Sequence, residues 1–383
     1  MSVVVWAVLG LIPVAAAISA ACTLVLVRVG HRMGTLDGAG VLGQVKAAAR
    51  RVPNTGGVAL FLAIAAPTAV LFAAGWLVSP NAWPSAVAVH VPGVRERLPL
   101  GLAFVGGLLV LHVLGLVDDR RPLAWRPKLA VTLAVPLVLG VFFETRLLTA
   151  LDGVVGGSWA SVAVTVLWFG AVTNAMNFMD NMDGLSAGTA CVSGVAFLVA
   201  ALLGGQWFVA AGLALVVGAT GGFLVFNFPR FGARPASIFM GDGGSLVLGY
   251  CLAFWTTRTT YVGGASESVA GATVGSGAWY AVLMPLVVLA VPLYDLVTVS
   301  AVRLSQGRSP FVGDLQHFSH RLVRRGLSRR GAVLLIWALT GVTSISAVSL
   351  GRLEWWQAAL VGVQTLLTLG VIALVERQTS SGA

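Results

Sequence analysis

The stretch NAMNFMDNMDGLS, Asn174 to Ser186, lies between two apolar runs, Trp159 to Val172 and Ala187 to Leu203. Two carboxylates, Asp180 and Asp183, and three amides, Asn174, Asn177 and Asn181, are therefore enclosed by segments of membrane grade. They recur at steps of three to four residues, so on a continued helix they would form one polar stripe. Ionisable groups at the edge of a bilayer are costly to keep there, and they mark substrate or ion sites. A plain connecting loop has no need to hold its polar groups on one face.

The composition agrees with that reading. Of 383 residues 57% are hydrophobic and 10% charged, and the mean hydropathy is +0.91. Soluble domains carry about 25% charged residues, so the chain is an integral membrane protein. Repeated apolar stretches of helical length make it all-α and polytopic rather than a barrel. Cys22, Cys191 and Cys251 lie inside apolar runs without CxxC spacing, which points to neither a disulfide framework nor a thiolate metal site. The net charge of +10 reflects loop topology and not a nucleic-acid partner. Val3 to Val27 lacks a basic n-region, and Arg28 and Arg32 follow it, as suits a retained first span entering from outside.

About eleven spans are expected, centred near residues 15, 66, 108, 136, 166, 195, 217, 251, 290, 340 and 365. The one at Leu129 to Phe143 is the weakest, being short and holding Pro136. Loops alternating from an outside N-terminus place 19 of the 24 Lys and Arg inside and 5 outside, which gives an N-out, C-in topology. The same alternation puts Asp37, Asp118, Asp119, Asp180, Asp183, Asp242, Asp295 and Asp314 on the cytoplasmic side, with Glu376 near the inner C-terminus. Glu96, Glu144, Asp152, Glu267 and Glu354 fall outside, and the outer loops, Val262 to Ala278 included, read as connectors. Short carboxylates gathered at one membrane face suit a hard cation and phosphates.

Four further stretches carry chemistry. Asp118 and Asp119 end the third span, and adjacent carboxylates repel each other unless a cation lies beside them. In Asn227 to Gly249, Pro229 and Pro235 break the helix, and Gly241, Gly243 and Gly244 admit close approach of a ligand to backbone. Asp242 then opens the eighth span, where it could serve simply as an N-cap. The neighbouring Phe239 can stack on a base, which favours a nucleotide and metal site. The loop Arg303 to Arg330 brings His317 and His320 three residues apart, short of a zinc site without a third ligand. Its arginines, Arg321 among them, suit a lipid phosphate or pyrophosphate as well as membrane anchoring. Lys46 in the first inner loop is a phosphate contact only if the other loops agree.

Together these motifs resemble the polyprenyl-phosphate N-acetylhexosamine-1-phosphate transferase family, whose members are membrane enzymes of ten or eleven helices with a cytoplasmic active site. The resemblance runs from about Gly34 to Ser328. It rests on VDDRRPLAWRPKL at 117–129, NAMNFMDNMDGLSAG at 174–188, IFMGDGGSLVLG at 238–249 and SPFVGDLQHFSHRL at 309–322, in the family's order. It implies Asp118 as the base toward the lipid phosphate, Asp119 as its partner near the metal, and Asp242 as the main Mg²⁺ ligand, with Mn²⁺ an alternative ion. It further implies Asn177, Asp180, Asp183 and Gly184 around the nucleotide, with Asp183 on the uracil and Phe239 stacked over it. His317, His320, Arg321 and Lys46 would then meet the phosphates. Three departures stand out: H-x-H-H reads His317-Phe318-Ser319-His320, the Asp-Arg before it reads Asp314-Leu315, and K-x-H reads Lys46-Ala47-Ala48. The HHH loop of the muramoyl-pentapeptide branch is missing.

The expectation is a single transmembrane catalytic domain over 1–383, its site built by the cytoplasmic loops 30–54, 118–128, 174–186, 227–244 and 303–331. It would sit in the cytoplasmic (inner) membrane, with a homodimer allowed. It would transfer N-acetylglucosamine 1-phosphate from UDP-N-acetylglucosamine to a polyprenyl (undecaprenyl) phosphate, releasing UMP, at the first membrane step of an envelope polysaccharide. Another UDP-amino sugar or UDP-muramoyl-pentapeptide is the alternative donor. The rival from another class is a secondary transporter, which expects acids at mid-span depth and an inverted repeat.

Overall fold

The computed structural model describes residues 3–33, 52–149, 152–228, 235–261, 283–310, 315–350 and 353–377. Lys46, Asp37, Asp314 and the expected outer connector 262–278 lie outside these residues. Helices account for the fold, and no strand occurs among the described residues. We number the principal ones α1 (Val3–Met33), α2 (Gly56–Leu77), α3 (Leu98–Arg120), α4 (Trp125–Phe142), α5 (Trp159–Phe178), α6 (Leu185–Leu203) and α7 (Trp207–Asn227). They continue with α8 (Asp242–Tyr261), α9 (Leu283–Val288), α10 (Ala290–Ser305), α11 (Phe318–Arg324), α12 (Arg329–Val348) and α13 (Trp355–Arg377).

Nine of these, α1 to α7 with α12 and α13, are long and apolar enough to cross a membrane, so the chain is a multi-pass membrane protein. Eleven were expected, and the two that fall short have different reasons. The span centred near 251 is α8, which carries Asp242, Arg258 and a cluster of threonines. It packs against α2, α3, α5 and α6, and Gly243 to Thr257 are all buried. A helix surrounded by protein does not face lipid, so its apolarity need not meet a lipid-exposed helix's requirement. The span centred near 290 is divided into α9 and α10 at Leu289, between Pro285 and Pro292. Conversely, the weakest expected span does form: α4 accommodates Pro136 inside it, as membrane helices can when neighbours satisfy the freed backbone groups.

The polar stripe at 174–184 is not one continued helix. α5 ends at Phe178, and turns carry Asp180 and Asp183 to Gly184, whose φ of +77° reverses the chain into α6. The carboxylates are thereby held on a short turn at a helix end. α1 and α7 run in the same direction: a Cβ on Gly218 would lie 2.3 Å from the Ile12 carbonyl oxygen, and one on Gly222 2.2 Å from that of Ala16. The start of α1 therefore lies at the end of the bundle away from Asn227.

Candidate active site

Three backbones meet where α8 begins. A Cβ on Gly115 of α3 would sit 2.3 Å from the Gly243 nitrogen, and one on Gly57 of α2 would sit 2.4 Å from that of Gly244. This contact sets Asp119, one turn beyond Gly115, over the open amides of α8. Its Oδ1 accepts from the Asp242 N–H at 3.0 Å and its Oδ2 from the Gly243 N–H at 3.2 Å. The first amides of a helix lack intrahelical partners and carry partial positive charge, so a carboxylate from another helix can cap them. Asn54 Nδ2 donates to the same Oδ1 at 3.1 Å. Gly241 has φ +69°, and a Cβ there would meet Asp119 Oδ2 at 2.4 Å, so only glycine fits. His112, stacked on Phe61 at 4.7 Å, contacts the Gly243 carbonyl through Nδ1 at 2.8 Å.

Because Asp119 caps α8, the side chain of Asp242 is not needed as the N-cap. Its Oδ1 accepts from Asn177 Nδ2 at 2.9 Å, and the same nitrogen lies 2.9 Å from Ser245 Oγ. Its Oδ2 accepts from Lys128 Nζ. That ammonium also donates to Asp118 Oδ2 at 2.8 Å, while Asp118 Oδ1 accepts from the Leu123 N–H at 2.6 Å. Lys128 thus bridges two of the expected site carboxylates. Sequence reasoning passed over it, although it stands within the 117–129 motif, one turn into α4.

The turn after α5 meets the segment before α8 through Asn227, the last residue of α7. Asn227 Oδ1 accepts from the Gly184 N–H at 2.8 Å, and its Nδ2 donates to the Ile238 carbonyl at 2.9 Å. Asp183 Oδ2 accepts from the Ala236 N–H at 3.1 Å. Phe239 is half-buried, and its backbone is fixed by bonds to Pro53 and Gly56. The expected nucleotide residues Asp183, Gly184 and Phe239 are therefore brought onto two linked segments. Burial pushes the Asp180 carboxyl well above the ordinary carboxylate range; the charges of Asp242, Asp119 and Asp183 add to this, and a bond from the Gly241 amide opposes it.

The histidines form a neighbouring layer. His317 donates from Nδ1 to Asp295 Oδ2 at 2.9 Å, and the other oxygen of Asp295 accepts from the Phe318 N–H at 2.6 Å. Asp295 and Arg303 are fully buried, and an Arg303 guanidinium nitrogen lies 3.4 Å from His317 Nε2. His317 stands edge-on to Phe178 of α5 at 5.4 Å, which joins this layer to the aspartates. Burial lowers the pKa of His320 to about 4, with His317, Arg329 and Arg324 adding to it, so His320 is neutral at pH 7. Ser319, at the middle position of the histidine motif, donates to Asn181 Oδ1. Arg321 turns elsewhere: its guanidinium is engaged by Glu376, Thr298 and the Gln316 carbonyl. Asp295, Arg303 and Asn227 were not singled out for the site by sequence reasoning, because partners so far apart leave no local pattern.

No three His, Cys, Asp or Glu among the described residues converge as a metal cage. Mg²⁺ does not require one, since it is held by one or two carboxylates together with waters and substrate phosphates. Asp118 and Asp242 already share one cation, the Lys128 ammonium, through hard oxygen donors. The donor set therefore fits a divalent ion.

Residues 101–260 match glycosyl transferase family 4. The chain is 32% identical over 336 residues to the decaprenyl-phosphate N-acetylglucosaminephosphotransferase of Mycobacterium tuberculosis, covering 84% of this chain and 78% of that one. The chain belongs to glycosyl transferase family 4. It is also 29% identical over 331 residues to a probable undecaprenyl-phosphate N-acetylglucosaminyl 1-phosphate transferase of Bacillus subtilis, covering 85% and 80%. To the undecaprenyl-phosphate alpha-N-acetylglucosaminyl 1-phosphate transferase of Escherichia coli K12 it is 30% identical over 233 residues, 59% of each chain. The family-4 match spans the helices that bear Asp118, Asp119, Lys128, Asn177 and Asp242, whereas the histidine layer and α13 lie beyond it.

Proposed function

We propose that this protein transfers N-acetylglucosamine 1-phosphate from UDP-N-acetylglucosamine to a polyprenyl phosphate, undecaprenyl phosphate for preference, with release of UMP. One observation carries the proposal: Asp118, Asp119, Asn177, Lys128 and Asp242 converge on the first turn of α8 at one end of the bundle. The names of the relatives support the substrate pair. Carboxylates at helix ends, rather than at mid-span, speak against a transporter.

In this reading the chain crosses the membrane eleven times, α8 and the α9–α10 pair included, in the inner membrane, with its N-terminus outside and the site in the cytoplasm. An oxygen of the lipid phosphate attacks the sugar-linked phosphorus of the donor. The bond from that phosphorus to the UMP oxygen breaks, and the product is a polyprenyl diphosphate sugar. Asp242, with Asp119 beside it, would hold Mg²⁺, which supplies charge neutralisation on the diphosphate and its leaving oxygen when bound. A phosphate monoester has its second pKa near ~6, so the nucleophile is mostly the dianion at neutral pH. Both Asp118 oxygens already accept hydrogen bonds. Asp118 therefore acts by placing Lys128 and shielding charge more than by taking a proton. Asp183 and Phe239 would receive the uracil, and His317, fixed by Asp295, would face the phosphates from the second layer. Neutral His320 can offer them an N–H but not a charge.

The test is an assay in detergent with undecaprenyl phosphate and a panel of radiolabelled UDP-sugars, with and without EDTA. UMP release and labelled lipid from UDP-N-acetylglucosamine, abolished by EDTA, is the expected result. Label from another sugar would change the donor, and no UMP from any donor in a folded preparation would overturn the reading.

A further inference from the structure

α13 holds none of the motifs, yet it reaches the histidine layer. α11 has only seven residues, Phe318–Arg324, too short to be stable without tertiary ties. Two carboxylates hold it. Asp295 of α10 fixes its start through His317 and the Phe318 amide. Glu376, in the last turn of α13, fixes its far side: Oε1 accepts from Arg321 Nε at 2.8 Å, and Oε2 accepts from the Tyr294 hydroxyl at 2.7 Å. The remaining Arg321 nitrogens donate to Thr298 Oγ1 at 3.0 Å and the Gln316 carbonyl at 2.7 Å. The Arg321 and Glu376 side chains are only 15% and 12% exposed. A glutamate in the last turn of a helix works against the helix dipole, so its place there needs a strong partner. One face of α13 is turned outward, with Leu360, Leu366, Leu367 and Leu374 all more than half exposed, while Ile372 and Leu369 join the apolar cluster of Phe318 and Leu322; Glu376 is its polar tie to α11.

We propose that Glu376 is a positioning residue of the transfer site. Through Arg321 it sets the pitch of α11, and so where His317 and His320 stand against the end of α5. Arg321 is accordingly an anchor and not a phosphate ligand. This rests on the transferase reading for its catalytic meaning, but the anchoring itself is measurable without turnover.

The experiment compares wild type, Glu376→Ala, Glu376→Gln, Arg321→Gln and the double variant Arg321→Gln/Glu376→Gln. Two readouts are taken: amide hydrogen exchange over 315–324, and kcat and KM for both substrates. Glu376→Ala should speed exchange of that segment by about tenfold and leave α2 to α8 unchanged. It should lower kcat about tenfold with KM for the UDP-sugar within about twofold. Glu376→Gln keeps one acceptor oxygen for Arg321, its amide nitrogen can donate to the Tyr294 hydroxyl instead of accepting from it, and the variant should stay within about threefold of wild type. The double variant should be no worse than the worse single change, since the two residues act as one contact. Unchanged exchange in Glu376→Ala would overturn the proposal, as would a raised KM for the lipid phosphate in Arg321→Gln alone. A wild type that turns over no donor would sink the transferase reading instead, while the exchange result would still decide the role of Glu376.

Discussion

At Asp118 and Asp242 one ammonium serves two acids, and its removal leaves them facing each other in a half-buried site. Breaking a buried pair from one side costs about 3–5 kcal/mol; with the Lys128, Asp118 and Asp242 side chains 20%, 15% and 27% exposed, about 2 kcal/mol is the better expectation. Lys128→Ala should therefore melt earlier in EDTA. Mg²⁺ should restore more of its melting temperature than it adds to wild type, because the ion takes the vacated place; equal Mg²⁺ increments in the two proteins would refute this. His320 supplies a pH test. Its folded pKa of about 4 lies below the ordinary histidine value of 6.5, so the unfolded chain binds more protons between those values. Stability conferred by neutral His320 is present above about pH 6.5 and is lost as pH falls toward 4. Thermal melts at pH 7.5 and 4.5 should show a smaller acid loss in His320→Gln than in wild type. The aspartates were legible in the sequence because they sit in long ordered motifs. Lys128 was not, since a lysine among Arg120, Arg121 and Arg126 reads as a topology signal. The Asp295–His317 and Arg321–Glu376 pairs span 22 and 55 positions, and no local periodicity announces such contacts.

Helix α8 is the element on which the site depends, and hydropathy reads it least well. Its burial among α2, α3, α5 and α6 removes the apolar signal, and the glycines that allow close packing matter more than its mean composition. Periodicity alone would continue the Asn174–Gly184 pattern as one helix, whereas Gly184 at φ +77° ends a turn there. Gly115→Ala tests the seat of α8. The new Cβ would fall 2.3 Å from the Gly243 nitrogen, so α3 and α8 must separate and Asp119 must withdraw from the amides it caps. Overpacking of this kind costs about 1–3 kcal/mol, and activity should fall more than about tenfold through the lost placement of Asp242. Gly106→Ala on the same helix is the control, since nothing lies within 4 Å of its Cβ. Similar effects from the two substitutions would mean that α3 tolerates movement and that the seat is not critical.

Across the whole molecule, the starts of α2, α4, α6 and α8 meet the ends of α3, α5 and α7, so one end of the bundle collects the polar chemistry. The C-terminal turn of α13 reaches the same end through Glu376, while α1 starts at the other. Helices that begin at one end of the bundle and finish at the other suit an odd number of crossings, which is the topology proposed above. The central claim is that Asp242, on the first turn of α8, is the carboxylate the phosphoryl transfer depends on most, with Asp118 in support. The decisive measurement is the rate of label transfer from UDP-N-acetylglucosamine to undecaprenyl phosphate by purified wild type, Asp118→Asn and Asp242→Asn, matched for thermal melting in Mg²⁺. Asp242→Asn should lose about a hundredfold or more and Asp118→Asn about tenfold. Equal losses, or a wild-type rate in Asp242→Asn, would contradict it.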